Sequence, residues 1–218
     1  KFKKRFYLGD PVNTVSLFNS FKVDELVLLN IDSHKNLFEI NHQLLSNISQ
    51  EAEMPFAIGG GIKTLNDIRT ILKLGAEKVI ISSEFLKNPT FLKEAVDHFG
   101  SSSIVVCIDV KKNLFGKYKV HTRSVNNISN DLVDVLDFIL EYEAGEMIIQ
   151  SIDKDGTFGG YDEELCKYVS DYMQIPTIVL GGMGSIDEVH NLIKKSHISG
   201  YAAGSKFVFQ DEERGVLI

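Results

Sequence analysis

The sequence is short of the features that mark secreted, membrane-bound, metal-binding or nucleic-acid-binding proteins. Only two cysteines occur among 218 residues, Cys107 and Cys166, and no CxxC pair is present. Both lie in apolar or helical contexts, so they read as reduced thiols of a cytoplasmic protein rather than as a disulfide framework. No stretch approaches the ~18 uninterrupted apolar residues of a membrane span. The opening Lys1–Arg5 is basic but no apolar leader follows it, so no targeting segment is expected. The six histidines, at positions 34, 42, 98, 121, 190 and 197, show no HxxxH spacing, so a metal site is not expected; no cofactor is expected either. Positive charge is also in deficit: 23 Lys and Arg against 30 Asp and Glu leave a formal net charge of −7. That balance repels a phosphate backbone, which disfavours nucleic acid as a partner while leaving room for local basic groups to meet a small anion.

What is present is a globular composition, 44% hydrophobic and 24% charged, and a single domain over residues 1–218 is the default. From Leu26 onward, short β-branched runs alternate with longer amphipathic stretches, the pattern of βα units on a parallel sheet. Strands are expected at Leu26–Ile31, Phe56–Ile58, Lys78–Ile81, Ile104–Ile108, Met147–Gln150, Thr177–Val179 and Gly200–Ala203. Each is nearly all apolar, as a strand covered on both faces must be. Helices are expected at His42–Ser49, Thr64–Leu74, Pro89–Phe99, Asp131–Glu143, Glu163–Tyr172 and Ser185–Lys195. Thr64 and Ser185 can cap their helices, and Pro89 fits a first helical turn. Lys111–Asn130 is polar and irregular, and alternation over Lys117–Thr122 predicts a small hairpin in a long loop.

A long internal repeat organises these elements. Glu25–Asp32 (ELVLLNID) returns as Glu146–Asp153 (EMIIQSID), an offset of 121 (146 − 25). Gly59-Gly60-Gly61 is echoed by Gly181-Gly182-Met183-Gly184, and Ser82-Ser83-Glu84-Phe85 by Gly204-Ser205-Lys206-Phe207, both at 122 (182 − 60 and 205 − 83). A repeat of this length holding four strands is a half-barrel, and two copies close a TIM (β/α)8 barrel, here with halves at about 1–102 and 103–218. Only seven strands are counted, and the counterpart of the strand ending at Asp109 would lie before Lys1. The first strand is therefore expected to be missing from this numbering, and a functional residue with it.

In such a barrel the active site lies at the C-terminal ends of the strands. Gly59-Gly60-Gly61 and Gly181-Gly182 each follow a strand and precede a helix, where backbone amides free of Cβ atoms can approach an anion. Ser82, Ser83, Gly204 and Ser205 end the next strand of each half, and the helical turn behind them adds its positive end. Any one of these could be a plain tight turn. Two copies on opposite sides of one mouth predict phosphate cups at Gly60, Gly61, Ser82 and Ser83 and at Gly181, Gly182, Gly204 and Ser205, for a ligand phosphorylated at both ends. Asp109 closes an apolar strand, where a carboxylate is costly unless it works as a general acid/base or bonds a neighbouring loop. Asp153-Lys154-Asp155-Gly156-Thr157 follows another strand and is either functional or an Asp-Gly turn. Gly159–Asp162 continues it as a flexible segment able to cover a substrate.

These motifs meet a known family. Gln150–Asp162 (QSIDKDGTFGGYD), with Pro55–Ile62 (PFAIGGGI), Gly75–Val79 (GAEKV), Asn88-Pro89 and Val106–Val110 (VCIDV), resembles the cyclase subunit of imidazole glycerol phosphate synthase, the HisF family. The resemblance runs in the family's order over nearly the whole chain, from about Asp24 to Phe209, and the Gly-Tyr-Asp ending favours the cyclase over its sister barrel isomerase. It implies a histidine-biosynthesis lyase with a glutaminase subunit docked on the N-terminal barrel face. Ammonia passes up the barrel, and a bisphosphorylated ribulosyl substrate is cleaved and closed to an imidazole at the mouth. Asp109 matches one catalytic aspartate, the other belonging to the first strand, while Asp155 and Gly156 join the cups in binding substrate. Glu25, Lys78 and Glu146 match three of the four positions of a charged ring that gates ammonia, the fourth, an Arg, lying upstream. Read without the resemblance, those three charges start strands, and a charge at a strand's entry is often merely solvated.

The chain departs from the family's pattern at the mouth. Asn30 stands in place of the usual Asp, Gln150 in place of Thr, and Leu180 in place of Ser. Thr122–Asn127 lacks the usual Gly-Lys-rich pattern, and Asp211–Ile218 is similar to the tail of a divergent subgroup. That subgroup occurs beside a glutaminase-like partner and an amidotransferase in surface-polysaccharide gene clusters. The corresponding alternative role is an ammonia conduit and docking platform for sugar amidination.

Overall fold

The structure, a computed structural model, describes Tyr7 and residues 9–31, 42–122 and 130–209. The strands are β1 (Leu26–Leu29), β2 (Phe56–Gly59), β3 (Lys78–Ile81), β4 (Ile104–Lys112), β5 (Tyr118–Val120), β6 (Glu146–Ser151), β7 (Thr177–Leu180) and β8 (Gly200–Ala202). All but β5 are parallel, hydrogen-bonded in the order β1-β2-β3-β4-β6-β7-β8. The expected hairpin forms because β4 runs on past Ile108 to Lys112, and β5 pairs antiparallel with that extension, Val110 opposite Val120. The helices are α1 (Pro11–Phe21), α2 (His42–Glu51), α3 (Leu65–Lys73), α4 (Ser83–Lys87), α5 (Pro89–Phe99), α6 (Leu132–Glu141), α7 (Glu163–Tyr172), α8 (Ile186–Ile193) and α9 (Ser205–Val208). Thr64 and Ser185 both cap as expected, each in a reciprocal capping box with the acid three residues on.

Hydrogen-bond register carries the duplication into the sheet. Leu26 pairs with Phe56, and 121 residues later Met147 pairs with Thr177 (147 − 26, 177 − 56). At the same offset α2 maps onto α7 and α1 onto α6, and the capping Asp10 of α1 matches the capping Asp131 of α6. Hydrophobic alternation beginning at Leu26 gives no expectation of α1, because only Val15 in that helix is fully buried.

The wall curls but is open among the described residues, where no strand lies between β8 and β1. Its two edges nevertheless come together: the rings of Phe18 and Phe21 in α1 lie 6.0 Å and 6.4 Å from that of Phe207 in α9. The position at the seam corrects two expectations. β1 ends at Leu29 rather than Ile31, since β2 turns away at Gly60 and the bond from Asn30 N–H to the Gly59 carbonyl is the last across that pair. β8 is only half-buried along its length, pairing among the described residues with β7 alone, so not every strand is covered on both faces.

Strand alternation sorts the side chains into two apolar groups. The larger packs between the sheet and the helices, with Val79, Ile81, Ile104, Val106 and Met147 among its fully buried members. The smaller, built on Ala57, Ile80, Val105, Cys107 and Ile148, fills the inside of the curl. Stepping two residues along these inward positions leads down to Glu25, Lys78 and Glu146 and up to Ser82, Asp109 and Gln150.

Candidate active site at the barrel mouth

At the floor, the Lys78 ammonium donates to Glu25 Oε2 at 2.9 Å and to Glu146 Oε2 at 2.8 Å. The three side chains are between 15% and 24% exposed, so the reading of merely solvated charges is corrected: they form one partly enclosed ionic cluster. Three strands lie between β1 and β6 in the sheet, and one ammonium on the middle strand β3 reaches both only because the wall is curled. Burial works against the Lys78 charge, but the hydrogen bonds it donates to Glu146 and then Glu25, with their negative charge, outweigh it and raise the Lys78 pKa. A lysine pKa raised by folding stabilises the protein fully below the ordinary lysine value and is lost as pH rises through the folded value. We therefore expect the melting temperature of the unaltered chain to exceed that of Lys78→Met by a constant margin from neutral pH to about pH 10 and by a shrinking margin above it. Thermal melts across that range check the sign.

At the opposite end, Asp109 continues the inward column Val105–Cys107 and sits half-buried, directly in register with Gln150 on β6. Its charge, after burial itself, holds the Cys107 thiol up and protonated, so the neighbouring sulfur is inert rather than nucleophilic. The Asp109 carbonyl accepts from His121 N–H at 2.7 Å, which ties the β4–β5 hairpin to the mouth.

The two glycine turns flank this carboxylate, but their correspondence differs from the sequence reading. Gly60, at φ +94°, packs so closely on β1 that a Cβ would stand 2.2 Å from the Asn30 carbonyl oxygen. Gly181, at φ +104°, packs in the same way on Ser151, the residue that follows Asn30 by 121 (151 − 30). Gly60 and Gly61 thus match Gly181 and Gly182, and the offset becomes 122 only by β8, where Ile178 pairs with Gly200 as Ala57 pairs with Lys78. The expected pairing of Gly60 with Gly182 is displaced by one residue.

Around the second turn the structure brings together Gly181, Gly182, Gly204, Ser205, Asp155 and Gly156, all expected site residues, in one shallow open cleft. Phe158, Leu180 and Lys206 also line it, and the sequence reading assigns none of them a role in binding. Lys206 was visible in the repeat as the one charge-reversing position of the Ser-Ser-Glu and Gly-Ser-Lys pair. Ser82 and Ser83 open α4 beside the first turn, and Ser82 makes no capping hydrogen bond, so its hydroxyl faces no local backbone demand. The Asp155-Gly156 turn is real as well, closed by Thr157 N–H donating to the Lys154 carbonyl at 3.1 Å.

The segment Gly159–Asp162 is pinned rather than loose, which corrects its reading as a flexible cover. Gly160 N–H donates to the Gly182 carbonyl at 2.8 Å, and the buried Tyr161 donates its hydroxyl to the Ala202 carbonyl at 2.9 Å. Asp162 caps α7 through Leu165 N–H and accepts from the Tyr118 hydroxyl at 2.8 Å. Burial, then that hydrogen bond, pushes the Tyr118 pKa up, so it stays a donor. Of the departures, Asn30 is exposed at the end of β1 and Leu180 lines the cleft; residues 123–127, with the rest of that loop's altered pattern, and the tail 211–218 lie outside the described residues. Among the described residues no three His, Cys, Asp or Glu side chains gather as a metal would need, and no helix is long and apolar enough to cross a membrane.

A curled parallel sheet duplicated by half-barrels, with glycine turns around an inward carboxylate at the strand C-termini, defines a β/α-barrel protein of the duplicated type. The sequence model of the family described as histidine biosynthesis protein matches residues 1–212. A Vibrio vulnificus protein provisionally named imidazole glycerol phosphate synthase subunit hisF3 is 40% identical over 100% of this chain and 85% of its own length. A Pseudomonas aeruginosa protein provisionally named subunit hisF2 of that synthase is 37% identical over 100% of this chain and 87% of its own. The imidazole glycerol phosphate synthase subunit HisF of Alkaliphilus metalliredigens is 34% identical over 93% of this chain and 81% of its own. The chain belongs to the histidine biosynthesis protein family, within its HisF-like group of imidazole glycerol phosphate synthase cyclase subunits.

Proposed function

We propose that this chain is the cyclase-type subunit of an ammonia-using synthase, which cleaves and cyclises a bisphosphorylated ribulosyl substrate in histidine biosynthesis. The observation that carries the reading is the placement of Asp109 on the inward column between two equivalent glycine turns, each followed by serine at the next strand end. Gly60, Gly61, Ser82 and Ser83 would hold one phosphate, and Gly181, Gly182, Gly204 and Ser205 the other, with Asp155 and Gly156 against the sugar. Asp109 would pass protons as the ring closes. The Lys78–Glu25–Glu146 cluster at the opposite end supports a gate for ammonia delivered by a glutaminase subunit docked on the N-terminal face.

A second reading has an observation of its own. Leu180 puts an apolar wall in the cleft and Gln150 sits beside Asp109, which favours a paralogue whose barrel mainly conducts ammonia and docks partners for sugar amidination. The experiment is turnover of the bisphosphorylated ribulosyl substrate with ammonium as nitrogen source. Imidazole product is expected; its absence, with glutaminase binding intact, would replace the first reading by the second. Conversion of the preceding ribosyl isomer without ammonia would instead identify the isomerase sister.

A further inference from the structure

Because the mouth is duplicated, each position of one cup has a counterpart in the other that acts as an internal reference. Gly60, Gly61 and Ser83 correspond to Gly181, Gly182 and Ser205. The next residue reverses sign: Glu84 is second in α4, and Lys206 is second in α9. Lys206 lines the open cleft together with Gly181, Gly182, Gly204 and Ser205, and among the described residues it forms no ion pair. Among the described residues the ion pair Glu84 makes is with Lys87, at 4.0 Å, so its charge is partly compensated and no free cation stands at that position. An incoming phosphate therefore meets at the second cup a lysine free of ion pairs among the described residues, in a cleft that Asp155 also lines, while the equivalent position of the first cup carries a carboxylate already paired with a lysine.

We propose that Lys206 makes the second cup the primary anchor, so that a phosphorylated ligand enters by that end and the first cup engages only afterwards. The inference rests on the reading of both glycine turns as phosphate cups and assigns them unequal duties. A charge-assisted contact to Lys206 that the first cup lacks at the same position separates the two affinities by about tenfold after solvent screening.

The test is a titration of the whole chain with inorganic phosphate, followed through backbone amide NMR signals of Gly181, Gly182 and Gly204 for the second cup and of Gly60 and Gly61 for the first. The second set should saturate at a phosphate concentration about tenfold lower than the first. Lys206→Ala should remove that advantage, and Lys206→Arg, which keeps the charge and guards against a folding artefact, should retain it. Simultaneous saturation of the two sets in the unaltered chain, or a Lys206→Ala affinity within about twofold of the original, would overturn the anchor while leaving the cups standing. Phosphate that moves neither set of glycines would overturn the cups themselves, and the anchor with them.

Discussion

Asp109→Asn is expected to leave the chain folded and to remove turnover of the bisphosphorylated ribulosyl substrate. Asparagine keeps the size of the side chain and its place on the inward column, and Asp109 is only half-buried, so the substitution opens no cavity. What it removes is the ability to take up and release a proton at the centre of the mouth. Losing such a group costs roughly 10²–10⁴-fold in rate. Steady-state kinetics beside far-UV circular dichroism decides the matter: an unchanged kcat with unchanged fold strips Asp109 of any catalytic role. Gln150→Thr offers a companion measurement, because it alters the neighbour in register without touching the carboxylate. Its effect should fall on KM for the substrate before kcat.

Gly60→Ala is expected to be among the most destabilising single-methyl substitutions in the molecule. The new Cβ would meet three backbone atoms of Asn30 at 2.2 to 2.8 Å, and none of them can swing away as a side chain would. Positive φ adds its own strain, and strain with enforced backbone movement amounts to about 2–4 kcal/mol. The counterpart Gly181→Ala supplies the control. Its φ is similar, but the nearest atom, the Ser151 carbonyl oxygen, stands at 2.9 Å and the next at 3.5 Å, so a loss of about 1–2 kcal/mol is expected. Urea unfolding of the two variants should rank Gly60→Ala well below Gly181→Ala. Equal losses would mean that φ strain alone sets the cost and that the close approach to β1 is relieved by a shift of the turn.

The strands and most helices were legible because the parallel wall demands apolar runs at strand spacing and the helices demand one apolar face. Where that demand weakens, so does legibility. α1 buries only Val15 completely and escapes the periodicity, yet its counterpart α6 was evident, and Asp10 stands 121 residues before the capping Asp131 (131 − 10). Applying the repeat to the first residues of the chain would have found it. The cup glycines were legible as residue types, but their pairing was shifted by one, since a run of glycines has no side chains to set its register; Asn30 and Ser151 fix it in three dimensions. The anchoring of Tyr161 on Ala202 and of Asp162 on Tyr118 joins segments 41 and 44 residues apart and could not be read along the chain. Glycines around those residues invite the reading of a loose cover, and only the cross-chain bonds overturn it.

The slip from an offset of 121 to 122 has a consequence for recombination. Ser185 to Gly200 is one residue longer than Thr64 to Lys78 (200 − 185 against 78 − 64), while the spacing from β1 to the first glycine turn and from β6 to the second is the same. Chain length has thus drifted behind the wall, in the return from helix to strand, and not in front of it. Chimaeras that exchange halves, or insertions made to carry a label, should be tolerated in that return path. The same change placed between a strand and its glycines would rotate the amides out of the mouth.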